Sequence, residues 1–251
     1  MERFRARAEA ITGGSFADSV ALHRWSIDRP EEFWEVLFDW LLPGLERPGA
    51  AIGNPGAHPA ELQWFGGVTM NVAELILDGR VGELVAGADD PMFVSIDEAG
   101  RRRVMSRAEA RSMVGAIAAA LRAQGVTTGD VVAVWLPNTE VAMLVMLAAA
   151  SIGAVFSSTS PDFGVDGVLD RFGQIEPKVL VAADGYFYGG RAFDRRPQLA
   201  EITAGLPSLE RTLVLGFLDP AGPADVDPAE DFWGWVEPHR GVEVTFEQLP
   251  F

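Results

Sequence analysis

Any chemistry in this 251-residue chain must be done with a short list of side chains. It has no cysteine, three histidines and one lysine, Lys178. Without cysteine there are no disulfides, thiolate nucleophiles or cysteine-held metals, and a reducing cytoplasm is the expected location. His23, His58 and His239 are far apart in sequence and none lies in an H-E-x-x-H frame, so each reads as a surface or loop residue. No G-x-S-x-G is present, which removes the strained nucleophile elbow. Neither G-x-x-x-x-G-K-[ST] nor G-x-G-x-x-G occurs, so the usual phosphate cradles are missing as well. Asp225, Asp227, Glu230 and Asp231 could in principle hold Ca²⁺. Pro228 interrupts them and no EF-hand spacing appears, so they read as a solvated acidic loop. Trp233 and Trp235 alternate and read as packing residues.

The elements that would have to position a site are easier to find. Hydrophobic residues make up 48% of the chain and charged residues 22%, enough to build a real core. The formal net charge of −16 opposes phosphate backbones and anionic lipid, so neither nucleic acid nor membrane is an expected partner. The N-terminal MERFRARAEAITGG lacks the apolar run of a signal peptide. The longest apolar stretch, from Val141 to Phe156, is shorter than the roughly 20 residues of a membrane span.

The spacing predicts a first helix after Asp28, with Asp28 and Glu31 at capping-box distance. Four prolines and four glycines between Pro43 and Pro59 predict a loop. The stretch from Asp219 to Asp231 predicts a second, exposed one. Asn71 with Glu74 predicts an N-cap and its third helical residue. Met92–Ile96 and Arg102–Met105 flank Glu98-Ala99-Gly100 and predict a hairpin. From Ser106 the signal is continuous. Ser106 and Glu109 form a capping-box pair, and Gly125 closes the helix that follows. The apolar run from Val131 to Leu136 predicts a strand buried on both faces. A helix after Pro137-Asn138-Thr139, a strand over 154–157, a helix capped by Ser160-Pro161 and stopped by Pro177, and a strand over 178–183 follow. A helix over 197–206 and a strand over 212–216 complete the alternation. Such an order predicts a parallel sheet with helices on both faces.

Leu136-Pro137-Asn138-Thr139, Ala150-Ser151-Ile152-Gly153-Ala154-Val155 and Ser160-Pro161-Asp162-Phe163-Gly164 together resemble the adenylate-forming acyl-CoA synthetases. The run Val168-Leu169-Asp170-Arg171-Phe172-Gly173-Gln174-Ile175-Glu176-Pro177-Lys178 is similar to the acetoacetate-activating branch of that family. Trp25-Ser26 with Pro30-Glu31-Glu32-Phe33-Trp34, and Ala183-Asp184-Gly185-Tyr186 with Gly189-Gly190-Arg191, extend the likeness from about His23 to Phe251. Three positions depart from the family pattern: Gly66 stands for proline, Val72 for an aromatic residue and Leu75 for asparagine.

The resemblance implies an α/β fold, with helices packed on a mostly parallel sheet, that is the truncated N-terminal part of the large domain of an adenylate-forming enzyme. It implies a family N-terminal segment over 1–85 and the first part of an AMP-binding domain over 86–251. It implies a ligase in which ATP and acetoacetate, or a related acid, give an acyl-adenylate and pyrophosphate, after which the CoA thiol displaces AMP. ATP, Mg²⁺ and CoA are then the cofactors of the full-length enzyme. The phosphate loop follows Leu249-Pro250-Phe251 in the family, after a short strand. The 251 residues alone are therefore expected to be inactive, to bind no cofactor tightly and to have no catalytic or metal-ligating residue. The missing C-terminal half is an expected partner. By the same resemblance Gly190 and Arg191 are candidate CoA contacts, with Arg191 pairing a CoA phosphate. An exposed loop arginine is the plain alternative. At the level of the whole chain, the alternative is a non-catalytic scaffold, or a partner of a full-length or split synthetase.

Overall fold

The computed structural model describes residues 1–81, 84–98, 100, 102–220 and 229–251. Ala99 of the expected hairpin tip, and Asp225, Asp227 and Pro228 of the acidic loop, lie outside them. The chain divides into two compact units. One comprises Met1–Met70, Asp78–Ala86 and Gln248–Phe251; the other comprises Asn71–Leu77 and Gly87–Glu247.

The first unit is built on three helices, α1 (Glu2–Thr12), α2 (Ser19–Asp28) and α3 (Pro30–Leu41). The expected capping box at Asp28 does not form. Asp28 is the last residue of α2, and Arg29 serves as its C-cap and as the N-cap of α3. Pro30 supplies the fixed φ that suits a first helical position. Glu32 instead accepts a hydrogen bond from Trp25 Nε1 at 2.8 Å, which locks α3 against α2. Phe4, Ala8, Leu22, Trp25 and Val36 form the core between the helices. The proline-rich segment after α3 is a loop as expected. Arg47 fastens it, donating to Glu35 at 2.9 Å, to Asp39 and to the carbonyl of Gly49 at 2.7 Å. Phe65 and Val68 are buried beside Phe38, so the departure at Gly66 leaves this core filled.

In the second unit Asn71 acts as predicted. Its Oδ1 accepts from the N–H groups of Ala73 and Glu74 at the start of α4 (Val72–Asp78). Its amide group donates to the carbonyls of Ala150 and Glu247 at 2.9 and 2.8 Å, so one buried side chain ties three segments together. Val72 is 54% exposed, which explains why losing an aromatic there leaves no hole. Next come β1 (Pro91–Ile96) and β2 (Arg102–Ser106), an antiparallel pair, and α5 (Arg107–Ala123). Both halves of the Ser106–Glu109 capping box are formed.

The central sheet contains β3 (Val131–Trp135), β4 (Val155–Thr159), β5 (Val179–Ala183), β8 (Arg211–Leu215) and β9 (Glu230–Asp231). Between β5 and β8 the chain makes a separate hairpin of β6 (Gly185–Tyr188) and β7 (Arg191–Asp194). The sheet order is β9-β8-β5-β3-β4 and every pairing is parallel. β3 and β5 are apolar along their whole length, and β8 over its last three residues, because both faces are covered there; the edge strands β4 and β9 carry polar residues. Val132, Val134, Val179, Val181, Leu213 and Leu215 point to one core, with α5 and α6 (Glu140–Ser151). Ala133, Trp135, Leu180, Ala182 and Val214 point to the other, with α7 (Val165–Phe172) and α8 (Arg196–Gly205). The period-2 alternation of a strand thus feeds two cores at once. Trp233 and Trp235, on or beside α9 (Phe232–Val236), pack against the first core, as expected of packing residues.

A second helix start differs from expectation. Ser160 does not cap α7, which begins at Val165 with Gly164 as its N-cap. The Ser160 carbonyl accepts from Trp135 Nε1 at 3.0 Å and from the N–H of Phe163, so residues 160–163 form a turn. The same helix ends at Phe172, before Pro177, where the Gly173 N–H closes on the Leu169 carbonyl.

Candidate functional site

Ligands of open parallel sheets sit beyond the carboxyl ends of the strands, where the strand order reverses. Here β4 lies on one side of β3 and β5 on the other, so the reversal falls between β3 and β5. The chain leaves β5 through Asp184, which is only 2% exposed. Its Oδ1 accepts from the N–H groups of Phe217 and Leu218 at 2.8 Å each, and its Oδ2 from that of Asp219 at 3.0 Å. Its own carbonyl accepts from Arg195 N–H at 2.8 Å. One buried carboxylate therefore fixes the loop that leaves β8 beside the hairpin that leaves β5. Gly185 follows because a Cβ there would overlap the Phe193 carbonyl oxygen and the Leu218 side chain.

The hairpin itself escapes the sequence reading, although Gly-Gly between two short apolar runs is a known hairpin signal. Gly189 and Gly190 occupy the tip with φ of 58° and 75°. Positive φ at both central residues is the type I′ requirement, which glycine meets without steric cost. The Gly189 N–H donates to Glu98 Oε2 at 3.1 Å. Gly190 is thus at the tip, and Arg191 opens the returning strand opposite Tyr188. One face of the hairpin carries Tyr186 and Tyr188 on β6, with Arg191 and Phe193 on β7. Tyr186 stacks on Phe193 with 5.1 Å between centroids and 14° between planes. Arg195 lies 5.2 Å over the Tyr186 ring and donates to its hydroxyl at 3.0 Å. Asp194 pairs with Arg196, whose hydrogen bond holds the Asp194 carboxyl below the usual carboxylate range. The Arg191 side chain is exposed and makes no hydrogen bond or ion pair among the described residues.

A pocket of about 300 Å³ lies at the start of α6, lined by Ser95, Arg103, Thr139, Glu140 and Phe217 among others. Glu140 already accepts from Ser95 Oγ at 2.6 Å and from Arg103 at 2.7 Å, so its charge is answered locally. Lys178 stands before β5, at the amino end of the strand. It donates to the Gly125 carbonyl at 2.8 Å and lies 3.4 Å from Asp130 and 3.7 Å from Glu210. The only lysine is therefore engaged in the scaffold. His23 and His58 are exposed and His58 Nδ1 accepts from Ala60 N–H; His239 is half-buried. Glu230 pairs with Arg211, and Asp231 caps α9. Among the described residues no group of three or more histidine, aspartate or glutamate side chains could hold a metal, and no helix is long and apolar enough to cross a membrane.

A doubly covered parallel sheet whose carboxyl edge carries a fixed loop and a hairpin narrows the class, and the comparisons name it. Residues 85–242 match the AMP-binding enzyme family, to which the chain belongs. The chain is 34% identical to the acetoacetyl-CoA synthetase of Macaca fascicularis, with all of this chain and 38% of that protein aligned. It is 33% identical to the acetoacetyl-coenzyme A synthetase of Rhizobium meliloti, over 95% of this chain and 36% of that protein. The solved acetoacetyl-CoA synthetase from Streptomyces lividans superposes with a TM-score of 0.83 at 36% identity, covering 99% of this chain and 37% of that one. The fold expected from the sequence is thus the fold found, and the chain spans well under half the length of the relatives it matches.

Proposed function

We propose that the chain is the N-terminal part of an acetoacetate–CoA ligase. Its residues 1–85 are the family's N-terminal segment, and 86–251 are the first part of the adenylation domain. The observation that carries this reading is the whole-chain likeness to acetoacetyl-CoA synthetases at a little over a third of their length. Two features of the molecule support it. The sheet, its two cores and the carboxyl-edge loops make a platform. The reading assigns the side chains that handle ATP and Mg²⁺ to another part of the enzyme; here Lys178 is tied to Asp130 and Glu210, and among the described residues no group of three or more histidine, aspartate or glutamate side chains could hold a metal. The residues present do not fit ATP or Mg²⁺, and no adenylation step is assigned to them.

They do fit one part of CoA. Arg191 is a guanidinium without a partner among the described residues, on a hairpin whose tip glycines let a ligand approach the backbone. An arginine of this kind forms short, bidentate hydrogen bonds with phosphate. CoA supplies the thiol that displaces AMP in the whole enzyme. In this chain Arg191 holds a CoA phosphate and Gly190 keeps the approach open, while Asp184 sets the height of the hairpin above the sheet.

The test is acetoacetate-dependent pyrophosphate release by the purified 251-residue chain with ATP, Mg²⁺ and CoA. No release above a heat-killed control is expected. A sustained acetoacetate-dependent rate from this chain overturns the assignment of the ATP-handling groups to another part of the enzyme.

A further inference from the structure

The tip of the β6–β7 hairpin already holds an anion of the chain's own. We propose that this carboxylate, Glu98, competes with an incoming phosphate for the tip and so decides which anions the tip accepts. It rests on the reading of Arg191 as a CoA phosphate contact and adds a residue that opposes that contact. Three observations lead to it.

Glu98 lies in the connection between β1 and β2, and its Oε2 accepts from the Gly189 N–H at 3.1 Å, across 91 positions of sequence. That is the only hydrogen bond or ion pair of this carboxylate among the described residues. Arg191 stands two residues beyond Gly189 and keeps its guanidinium unpaired. The carboxylate therefore takes the one backbone donor of the tip and leaves the cation beside it free.

Nothing else fills the tip. A Cβ built on Gly189 or on Gly190 meets no atom within 4 Å. A ligand oxygen thus finds open space on every side of the Gly189 N–H except the one that Glu98 occupies. A single N–H aimed at one carboxylate oxygen cannot serve a second anion equally well, so the ligand must displace Glu98 to use it.

Charge sets the selectivity. Two like unit charges about 4 Å apart in water repel by an amount worth about fivefold in affinity. A small monoanion at the tip meets that repulsion and has little to set against it. A phosphate ester that takes paired, charge-assisted hydrogen bonds from Arg191 can offset it. Glu98 accordingly keeps the tip closed to small anions and open to the phosphate that Arg191 can grip.

Two substitutions separate the charge from the contact. Glu98→Gln keeps an oxygen that can accept from Gly189 and removes the charge; Glu98→Ala removes both. The 251-residue protein, labelled with ¹⁵N-glycine, is titrated with CoA, with inorganic phosphate and with pantetheine, which carries no phosphate, and the Gly189 amide signal is followed by NMR. Without ligand that signal should move upfield in Glu98→Ala, where the N–H loses a charged acceptor, and less in Glu98→Gln. CoA should bind both variants about fivefold more tightly than wild type at low salt, the strength of one like-charge contact. The difference should shrink at high salt, where exposed charges are screened. Inorganic phosphate should move the signal in the variants at lower concentration than in wild type, and pantetheine should move it in none. Arg191→Ala should weaken CoA binding both in wild type and in Glu98→Gln. Glu98 is exposed, and unmoved signals from the glycines outside the hairpin report that each variant is folded. Wild-type CoA affinity in Glu98→Gln with weaker binding in Glu98→Ala overturns the competition and makes Glu98 a clamp on the hairpin. Equal affinity in all three proteins overturns it as well. In both cases the phosphate contact stands. If CoA moves the Gly189 signal in no protein, the phosphate contact falls and the competition falls with it.

Discussion

Replacing Asp184 by alanine removes the acceptor of three backbone N–H groups at once, those of Phe217, Leu218 and Asp219. Hydrogen bonds to a charged acceptor contribute roughly 1.5–3 kcal/mol each, and an orphaned buried donor costs roughly 1–3 kcal/mol. The three N–H groups belong to half-buried or exposed residues, so water can reach some of them after the change. The low end therefore applies, and Asp184→Ala should cost about 3 kcal/mol. Asp184→Asn is the informative companion. Its carbonyl oxygen can keep the bonds from Phe217 and Leu218, but its NH₂ must face the N–H of Asp219, donor to donor. It should cost about 1–2 kcal/mol. The assay is urea unfolding followed by tryptophan fluorescence, with seven tryptophans as probes. With a slope of roughly 2–3 kcal/mol per molar urea, the alanine variant should unfold at least about 1 M earlier. Amide exchange should show lost protection at Leu218 and Asp219 before any loss in α5. Asp170→Asn, at an exposed carboxylate, should change stability by less than about 0.5 kcal/mol. An Asp184→Ala midpoint within error of that control refutes the idea that this carboxylate holds the loop.

Other perturbations have signs that the structure decides. Gly115 lies inside α5, where alanine is ordinarily the better helix former by about 1 kcal/mol. Here a Cβ would overlap the Val242 carbonyl oxygen, so Gly115→Ala should lower the melting temperature, whereas a helix-propensity effect would raise it. Ser106→Ala removes the hydroxyl that accepts from the Glu109 N–H, leaves the Ser106 N–H bonded to the Glu109 carboxylate, and should cost about 1 kcal/mol in chemical denaturation. The Asp130 carboxyl is held below the usual aspartate range, chiefly by the Thr127 N–H and further by the Thr127 hydroxyl and Lys178. A depressed carboxylate stabilises the fold above its unfolded pKa and loses that contribution as pH falls through the folded value. Stability should accordingly decline below about pH 4, and Asp130→Asn should flatten part of that decline while being the less stable protein near neutrality.

How much of this was legible in the sequence varies with how local the signal is. The sheet announces itself at β3, β5 and β8, whose apolar runs suit strands covered on both faces, and in the helical stripes between its strands. Asn71 and Ser106 are readable because a cap is a contact across two or three residues. The failures are equally physical. α1 buries only Phe4 and Ala8, too few positions to show a period. Ser160-Pro161 has the chemistry of a helix start, but the Ser160 carbonyl is taken by the Trp135 indole, a partner 25 residues away that no local pattern reveals. At the candidate site, Arg191 and Gly190 are visible only through family likeness, and the Gly-Gly signal around them is weak because the runs that flank it are only four residues long. Asp184 could not be found from sequence, since the backbone groups it binds lie more than thirty residues on and become its partners only when β5 and β8 pair.

The central claim is that these residues are the scaffold part of an acetoacetate–CoA ligase. The most direct measurement places the chain in the Streptomyces lividans acetoacetyl-CoA synthetase, in exchange for the 37% of that enzyme it matches. Acetoacetyl-CoA formation by the hybrid is then followed by thioester absorbance. The account predicts acetoacetyl-CoA from acetoacetate, ATP and CoA, with CoA affinity reduced by Arg191→Ala in the exchanged part. A hybrid that unfolds with the cooperativity of the parent enzyme yet forms no acetoacetyl-CoA would contradict it.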